Sequence, residues 1–172
     1  MKRGLKWMVR HKFVTVEPDK CVGCRICEYI CSMEKNKTLN PTRSRIRVVR
    51  IYPTTNASLT CRLCEDAPCV VACPRKALTQ SEETGIIAVN DDLCNGCGWC
   101  IEACDFGAIG LDPEKKVVRI CDLCSTRESG PACVEWCPEE ALELTSKDVL
   151  SQKARIGAIQ RLVKASEAAK SS

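Results

Sequence analysis

The chain has 172 residues and a formal net charge of +4 at neutral pH, and only 4% of its residues are Phe, Trp or Tyr, whereas 16 are cysteine. This length accommodates one domain or two small ones, and the scarcity of large aromatic side chains excludes an ordinary aromatic-rich core. The small positive charge comes without a recognised nucleic-acid-binding motif, so nothing favours nucleic acid as a partner.

The first twelve residues form a basic segment that contains His11, the only histidine of the chain. The segment lacks the apolar run and the small-residue cleavage site of a signal peptide, and its Lys2-Arg3 pair is not the arginine pair of a twin-arginine signal. No later stretch reaches the length of a transmembrane span. We therefore expect a cytoplasmic protein with no direct membrane span, in which His11 is a solvated side chain.

The cysteines stand in four groups of four along the chain. Groups one and three have the spacing C-x2-C-x2-C-x3-C, whereas groups two and four begin Cys-x-Leu-Cys, have a wider second gap and end in Cys-Pro. Because the two loop types alternate, a unit of two groups has been duplicated. The groups are Cys21, Cys24, Cys27 and Cys31; Cys61, Cys64, Cys69 and Cys73; Cys94, Cys97, Cys100 and Cys104; and Cys121, Cys124, Cys133 and Cys137.

Three kinds of chemistry use cysteine at this density. Disulfide scaffolds are typical of small secreted proteins, and the amino-terminal segment does not resemble a secretion signal. Zinc sites usually pair two C-x2-C knuckles across a longer gap, whereas here a third and a fourth cysteine follow closely. The spacing of groups one and three is the one at which three thiolates hold a 4Fe-4S cluster and the fourth serves a neighbouring cluster. The sixteen thiolates therefore predict four 4Fe-4S clusters, with zinc as the stronger alternative.

Short strands are predicted between the groups. Residues 45–51 alternate arginine with aliphatic residues, which favours a strand. Residues 77–80 and 86–89, separated by a turn at 81–85, predict a strand-turn-strand connection. A helical turn that runs into a strand is predicted after the fourth cysteine of groups two, three and four, at Ala77-Leu78, Ala108-Ile109 and Ala141-Leu142.

Two segments without cysteine have a pattern of their own, one of arginines and one of apolar residues. A row of arginines on or beside the first predicted strand either docks an acidic partner or faces solvent; it consists of Arg43, Arg45, Arg47 and Arg50. Residues 146–172 predict a broadly amphipathic helix that packs on the cluster domain or contacts a partner, and we expect its last residues to be disordered. Its apolar residues are Val149, Leu150, Ile156, Ile159, Leu162 and Val163.

The connection between Cys73 and Cys94 resembles the linker of a two-cluster ferredoxin. The resemblance implies that groups two and three share one lobe and groups one and four the other. With each fourth cysteine serving the neighbouring cluster, four ligand sets follow. They are the Cys21 set (Cys21, Cys24, Cys27 and Cys137), the Cys121 set (Cys121, Cys124, Cys133 and Cys31), the Cys61 set (Cys61, Cys64, Cys69 and Cys104) and the Cys94 set (Cys94, Cys97, Cys100 and Cys73). The duplication leaves open the competing pairing of group one with two and of three with four.

Over about residues 14–144, the four groups resemble the four-cluster iron-sulfur subunits of molybdenum and tungsten oxidoreductases, including the dimethyl sulfoxide reductase beta-subunit family. Residues 27–32 and 40–48 resemble the ferredoxin-like partners of tungsten aldehyde oxidoreductase-type enzymes, a class that includes aldehyde oxidoreductases and benzoyl-coenzyme A reductases. The resemblance implies an α+β fold of tandem bacterial ferredoxin-like lobes organised around four clusters, with short strands, helical turns and a C-terminal helix. It divides the chain into the basic segment 1–12, a double two-cluster domain 13–145 and a helical tail 146–172.

The same resemblance implies a non-catalytic subunit that relays single electrons to or from a large catalytic subunit with a tungsten or molybdenum pterin. A ferredoxin or flavin subunit would be the second redox partner. The chain itself has no G-x-G-x-x-G or P-loop pattern and hence no visible nucleotide site. A free polyferredoxin that serves several enzymes and, less favoured, a zinc-binding structural module are the alternatives.

Two residues depart from the usual Cys-Pro ending, because Ser32 follows Cys31 and Asp105 follows Cys104. A serine hydroxyl can donate a hydrogen bond to cluster sulfur and raise the reduction potential, whereas a nearby carboxylate lowers it. The plain alternative is that both side chains face solvent.

Overall fold

The computed structural model describes residues 12–51 and 55–170, with side chains as far as residue 168 in the last helix. Residues 1–11, which include His11, and the last two residues of the tail lie outside the described residues, so the expectations for them stay predictions. The described ranges combine short strands with helices, which confirms a mixed helix and strand fold. None of the helices in these ranges has both the length and the apolarity needed to cross a bilayer.

Within residues 12–51 and 55–170, eight strands form four separate antiparallel ribbons. Strand β1 pairs with β8, β2 with β3, β4 with β5, and β6 with β7. Two-stranded ribbons are marginal by themselves, so each depends on what it packs against. The bounds are β1 Lys12–Val16, β2 Arg47–Ile51, β3 Thr55–Leu59, β4 Leu78–Gln80, β5 Ile87–Val89, β6 Gly110–Asp112, β7 Val117–Arg119 and β8 Leu142–Ser146.

Helices α1 to α4 each carry cysteines of one group, and α1 is longer than the other three. Single-turn helices α2, Pro68–Val71, and α4, Ala132–Glu135, precede Cys-Pro endings, and proline cannot continue a helix. Helix α3, Trp99–Glu102, is equally short. Helix α1, Ile26–Asn36, runs past Cys31 because Ser32 stands where the proline would be. A 3₁₀ helix, Pro41–Arg43, follows, and helix α5, Lys147–Lys170, ends the described chain.

The predicted local elements between the groups are confirmed, with one shifted boundary. The connection after Cys73 is the β4–β5 hairpin, and β6 and β8 begin directly after Ile109 and Ala141. The strand predicted at 45–51 starts two residues later. The reason is that the Ser44 hydroxyl bonds both the N–H and the C=O of Ile46, at 3.2 and 2.7 Å, which holds this stretch in a tight turn.

Two hydrophobic cores lie in the described chain, and both are lined by cysteine. One combines cysteines of groups two and three with Leu78, Ile87 and Val118. The other combines cysteines of groups one and four with Val14 and Leu142. Leu123 packs against both cores. Among the described residues Phe13 is the only aromatic side chain that is buried, as the composition leads one to expect.

The pairing of elements follows the same division of the groups. Helix α1 of group one contacts α4 of group four, while α2 of group two contacts α3 of group three. Strand β1, which precedes group one, pairs with β8, which follows group four, in a register that sets Val14 opposite Leu144. Groups one and four are therefore neighbours in space although about a hundred residues separate them.

Helix α5 exists where a helix was predicted, but it does not pack lengthwise on the domain. Its contacts with the body of the chain involve β8 near its start, so of the two predicted alternatives, packing on the cluster domain is limited to that end, and contact with a partner stays a prediction. Its apolar side chains are exposed because no neighbouring element covers them; they include Val149, Ile156, Ile159, Leu162 and Val163.

Candidate metal centres

All four cysteine loops share one backbone feature. The residue before the second cysteine of each group has a positive φ, which L side chains rarely adopt. The left-handed residue turns the chain sharply between the first two cysteines of each group. The four residues and their φ angles are Gly23 at 70°, Leu63 at 48°, Gly96 at 68° and Leu123 at 56°.

Glycine is required in two of these loops by close contacts as well as by φ. A Cβ on Gly23 would lie 2.6 Å from the side-chain oxygen of Asn56, and one on Gly96 would lie 2.5 Å from the carbonyl oxygen of Lys116. In the other two loops leucine takes the same conformation at a cost of the order of 1 kcal/mol or more. Leu63 is completely buried there, and this burial offsets the strain.

Two cavities are each lined by four cysteines. The first, with an empty volume of about 330 Å³ that is partly open to solvent, is lined by Cys21, Cys24, Cys27 and Cys137. The second, of about 320 Å³, is lined by Cys73, Cys94, Cys97 and Cys100. These are the members of the Cys21 set and the Cys94 set. Each cavity therefore brings together the four thiols that the sequence analysis predicts as the ligands of one cluster.

Cys61 and Cys69 of the Cys61 set are buried, and Cys64 and Cys104 are half-buried. The pKa of Cys61 is raised to about 11, mainly by burial and in smaller part by negative charge on Cys69, Cys64 and Cys104. Burial likewise raises the pKa of Cys69, on which Cys104 and Cys64 also act. Cys104 therefore lies within electrostatic range of the first three cysteines of group two.

The Cys121 set is buried in the same way. The pKa of Cys121 is raised to about 12, mainly by burial, and negative charge on Cys31 contributes to the rise. Burial also raises the pKa of Cys133, with contributions from Cys121, Cys31 and Cys124. Cys31 of group one therefore lies among the first three cysteines of group four.

The raised pKa values have a consequence for metal binding. Without a metal, buried thiols such as Cys27, whose pKa burial raises to about 12, stay protonated at neutral pH. Iron binds the thiolate, so binding must release these protons and couples metal affinity to pH and to folding. Within residues 12–51 and 55–170 no three Cys, His, Asp or Glu side chains come together closely enough for a single-ion site.

The arrangement fits a group that is larger than one ion and bound by thiolates. Each of the two cavities is lined by four thiols, and thiolates are the protein ligands of iron-sulfur clusters. Backbone amides already point at sulfur: the N–H groups of Ala77, Ala141 and Arg45 lie 3.3 Å from the Sγ atoms of Cys73, Cys137 and Cys31. Such N–H donors stabilise thiolates that carry cluster charge.

One polar contact to sulfur comes from a side chain that the sequence did not single out. The Ser58 hydroxyl on β3 lies 3.8 Å from Cys27 Sγ, and both groups are buried. The two residues are 31 positions apart, so no local pattern signals the contact.

The expectation that Ser32 donates a hydrogen bond to cluster sulfur is wrong. Its hydroxyl donates to the carbonyl oxygen of Tyr29 at 2.8 Å and accepts from the N–H of Asn40 at 3.2 Å. The residue is fully buried, so the solvent-facing alternative is wrong as well. Asp105 does face solvent.

The arginine row is neither free for docking nor simply solvated. Arg43 pairs with Glu114 and lies 3.7 Å from Asp112, and Arg45 pairs with Asp122 at 2.7 Å. The guanidinium of Arg47 donates to the carbonyl oxygen of Thr42, and that of Arg50 donates to the Asn56 side chain. The row is used within the chain, where it ties the segment after group one to the loops that follow.

Asp122, in the loop of group four, forms ion pairs with two residues that follow group one. It accepts from Lys35 of α1 at 2.8 Å, in addition to its ion pair with Arg45. Burial alone would raise its pKa, but the hydrogen bond from Lys35 and the nearby cations outweigh burial and lower the pKa. The carboxylate therefore stays charged and fastens the Cys121 loop to group one.

Cysteines of different sets also lie near one another. Charge on Cys69 raises the pKa of Cys100, charge on Cys61 raises that of Cys121, and charge on Cys27 raises that of Cys133, each in addition to the effect of burial. Cys69 is therefore near Cys100, Cys61 is near Cys121, and Cys27 is near Cys133.

Comparison with known proteins agrees with this chemistry. Residues 54–147, more than half of the chain, match the family model described as a 4Fe-4S dicluster domain. The polyferredoxin-like subunit of an aliphatic sulfonate oxidoreductase from Pyrococcus furiosus is 44% identical over 127 residues, covering 74% of this chain and 72% of that protein. The electron transport protein HydN of Escherichia coli is 35% identical over 164 residues, covering 83% of this chain and 92% of that protein.

Among solved structures, the chain is similar to a chain of the active-site complex BamBC of benzoyl coenzyme A reductase. It has a TM-score of 0.48 and 25% sequence identity, and the match covers 87% of this chain and 90% of that chain.

Proposed function

The chain belongs to the family of 4Fe-4S dicluster domain proteins, and we propose that it relays single electrons along four 4Fe-4S clusters, one in each cysteine set. An iron-sulfur electron-transfer function accords with the names of its relatives. Bound clusters supply one-electron redox chemistry, while the chain sets their spacing, insulation and potential. The carrying observation is that cysteines of all four groups line two hydrophobic cores that share Leu123, which supports a relay in the order of the Cys94, Cys61, Cys121 and Cys21 sets.

The two ends of this line differ from its middle in solvent access. Cys24 of the Cys21 set and Cys97 of the Cys94 set are exposed. In the middle, Cys61, Cys69, Cys121 and Cys133 are buried. Burial keeps water and adventitious oxidants from the inner sets, and exposure of one cysteine at each end gives a partner short-range access. This division of roles is what a relay between two partners requires.

The proposed ligand sets cross between groups. Cys137 completes the Cys21 set, Cys31 the Cys121 set, Cys104 the Cys61 set and Cys73 the Cys94 set. This assignment is supported by the two four-cysteine cavities and by the mutual effects on pKa within the two buried sets. The crossing makes the two halves of the chain hold each other together.

We further propose that one partner is a large catalytic oxidoreductase subunit with a tungsten or molybdenum pterin and that the other is a ferredoxin or flavin subunit. One relative is named as a subunit of a sulfonate oxidoreductase. Helix α5 is the proposed contact for the catalytic subunit. It leaves apolar side chains exposed beside Lys153, Arg155, Arg161 and Lys164, which suits an apolar groove with an acidic rim.

Metal analysis of the protein purified without oxygen tests the cluster content. We expect about 16 iron atoms and as many acid-labile sulfides per chain, with the broad visible absorption of iron-sulfur clusters. Zinc in place of iron, or iron for only two clusters, would overturn the proposed relay. A lone species near the 19.0 kDa chain mass in native size exclusion would favour a free polyferredoxin over a subunit.

A further inference from the structure

Two hairpins occupy equivalent places in the duplicated chain. The β2–β3 hairpin lies between groups one and two, and the β6–β7 hairpin lies between groups three and four. Asn56 and Lys116 each stand five residues before the next group, and each closely approaches the glycine of the preceding loop. The two hairpins therefore approach the preceding cysteine loop at corresponding residues, the first through the Asn56 side chain and the second through the Lys116 backbone carbonyl.

The second strand of each hairpin contributes one residue to the lining of a cysteine cavity, and the two residues occupy corresponding positions. Ser58 pairs with Val48 across the first hairpin, and Val118 pairs with Leu111 across the second. Ser58 and Val118 each stand three residues before the first cysteine of the next group. Ser58 lines the cavity of the Cys21 set, and Val118 lines that of the Cys94 set. They are counterparts at the two ends of the relay.

The counterparts differ in what they offer to sulfur. The Ser58 hydroxyl lies 3.8 Å from Cys27 Sγ, within reach of a hydrogen bond to this large atom. Val118 has no polar atom in its side chain. Both residues are shielded from water, with 7% and 2% of their surface exposed. A water molecule therefore does not supply at Val118 the hydrogen bond that the Ser58 hydroxyl supplies.

A donor to a ligand sulfur acts on the two redox states unequally. Reduction adds one electron and hence negative charge to the group held by the four thiolates, and a hydroxyl that donates to one sulfur stabilises the more negative state. Its presence raises the reduction potential. Glu28, a buried carboxylate beside Cys27, lowers the same potential, so the effect of the hydroxyl is isolated only by substituting Ser58.

We infer that Ser58 raises the reduction potential at the Cys21 set relative to the Cys94 set, where Val118 occupies the corresponding position. Because the higher potential favours reduction, an electron that can reside at either end resides more often at the Cys21 set. The inference rests on the proposed function, because it requires a cluster in each of the two sets.

The test compares Ser58→Ala with Val118→Thr in the full chain with its clusters in place, by protein-film voltammetry and redox titration followed by electron paramagnetic resonance. Ser58→Ala removes only the hydroxyl oxygen, and we expect one midpoint potential to fall by about 59 mV, which is about tenfold in the equilibrium constant of a one-electron step. Val118→Thr replaces a methyl with a hydroxyl, and we expect a different midpoint to rise. Ser58→Thr keeps the donor and should restore the original value.

Thr145→Val provides a matched control. It removes a buried hydroxyl on β8 that has no hydrogen-bond partner among the described residues, and it should move no midpoint. If four clusters are present and neither Ser58→Ala nor Val118→Thr moves a midpoint, the inference is wrong although the relay stands. If the unaltered protein holds fewer than four clusters, the proposed function itself fails. Should Ser58→Ala not assemble, the rise expected for Val118→Thr decides.

Discussion

The terminal and the inner cysteine sets are built from the same loops, yet they are buried to different extents. Cys24 and Cys97 are exposed in the two sets that the proposed relay has at its ends, whereas Cys61, Cys69, Cys121 and Cys133 of the other two sets are buried. The duplicated loops alone do not determine this difference. It depends on contacts between groups, of α1 with α4 and of α2 with α3.

The largest expected difference between the two classes comes from removing a ligand. Cys133→Ser, in an inner set, should cost one cluster and about 4 kcal/mol or more of stability, because it leaves an incomplete centre between the two cores. Cys24→Ser, at an exposed terminal position, should affect one terminal cluster and leave the fold. Iron content together with denaturant unfolding measures both. Equal losses of stability in the two variants would contradict the distinction between inner and terminal sets.

The two glycine loops offer a finer comparison between the ends. Gly96→Ala places a methyl against the backbone carbonyl of Lys116, which cannot move away, and we expect a cost of about 3 kcal/mol. Gly23→Ala meets only the end of the Asn56 side chain, which can rotate, so we expect about 1–2 kcal/mol.

Gly98 is the matched control for this pair of variants. It has a φ of 87° and open space around the position of a Cβ, so Gly98→Ala reports backbone strain alone. Unfolding of the cluster-loaded proteins in denaturant gives the three values. A smaller loss for Gly96→Ala than for Gly98→Ala would show that the contact with Lys116 is unimportant.

The two inner loops carry opposite charges at the same position, Arg62 in group two and Asp122 in group four. Asp122→Asn should cost about 2 kcal/mol, because Lys35 and Arg45 lose their partner in a partly buried site. Arg62→Gln should cost less, about 1 kcal/mol, because Arg62 lies over the rings of Phe13 and Phe106 at 5.1 and 5.8 Å. Denaturant unfolding at neutral pH checks the order, which the reverse ranking would refute.

The smallest effect on the fold is expected from removing helix α5. Deletion of residues 147–172 removes two surface ion pairs, Lys147 with Glu65 and Lys153 with Glu143, which together contribute about 1 kcal/mol or less. Iron content should stay unchanged, while co-purification of the catalytic partner should be lost. A truncated chain that still brings down its partner would place the docking surface on the cluster domain.

The sequence predicted well the secondary-structure elements that form between residues close together in the chain. The hairpin after Cys73, the strand that begins after Ile109 and the last helix are formed by residues that are close together in the sequence. The one shifted boundary, at Arg47, arises from the Ser44 turn, which competes with the strand for the backbone groups of Ile46.

Contacts between distant residues could not be predicted in the same way. Arg43 and Glu114 are 71 positions apart, and Ser58 and Cys27 are 31 apart. Nothing in the local pattern of the arginine row distinguishes a partner within the chain from an acidic partner subunit. Ser32 was misassigned for a related reason, since its hydroxyl bonds the backbone of Tyr29 and Asn40 and not sulfur.

The most direct test of the crossed relay is a crystal structure of the cluster-loaded protein with anomalous scattering recorded at the iron edge. Four clusters should lie in the order of the Cys94, Cys61, Cys121 and Cys21 sets, with Cys137 ligating the same cluster as Cys21, Cys24 and Cys27. A cluster ligated by Cys31 together with Cys61, Cys64 and Cys69 would contradict the crossed assignment.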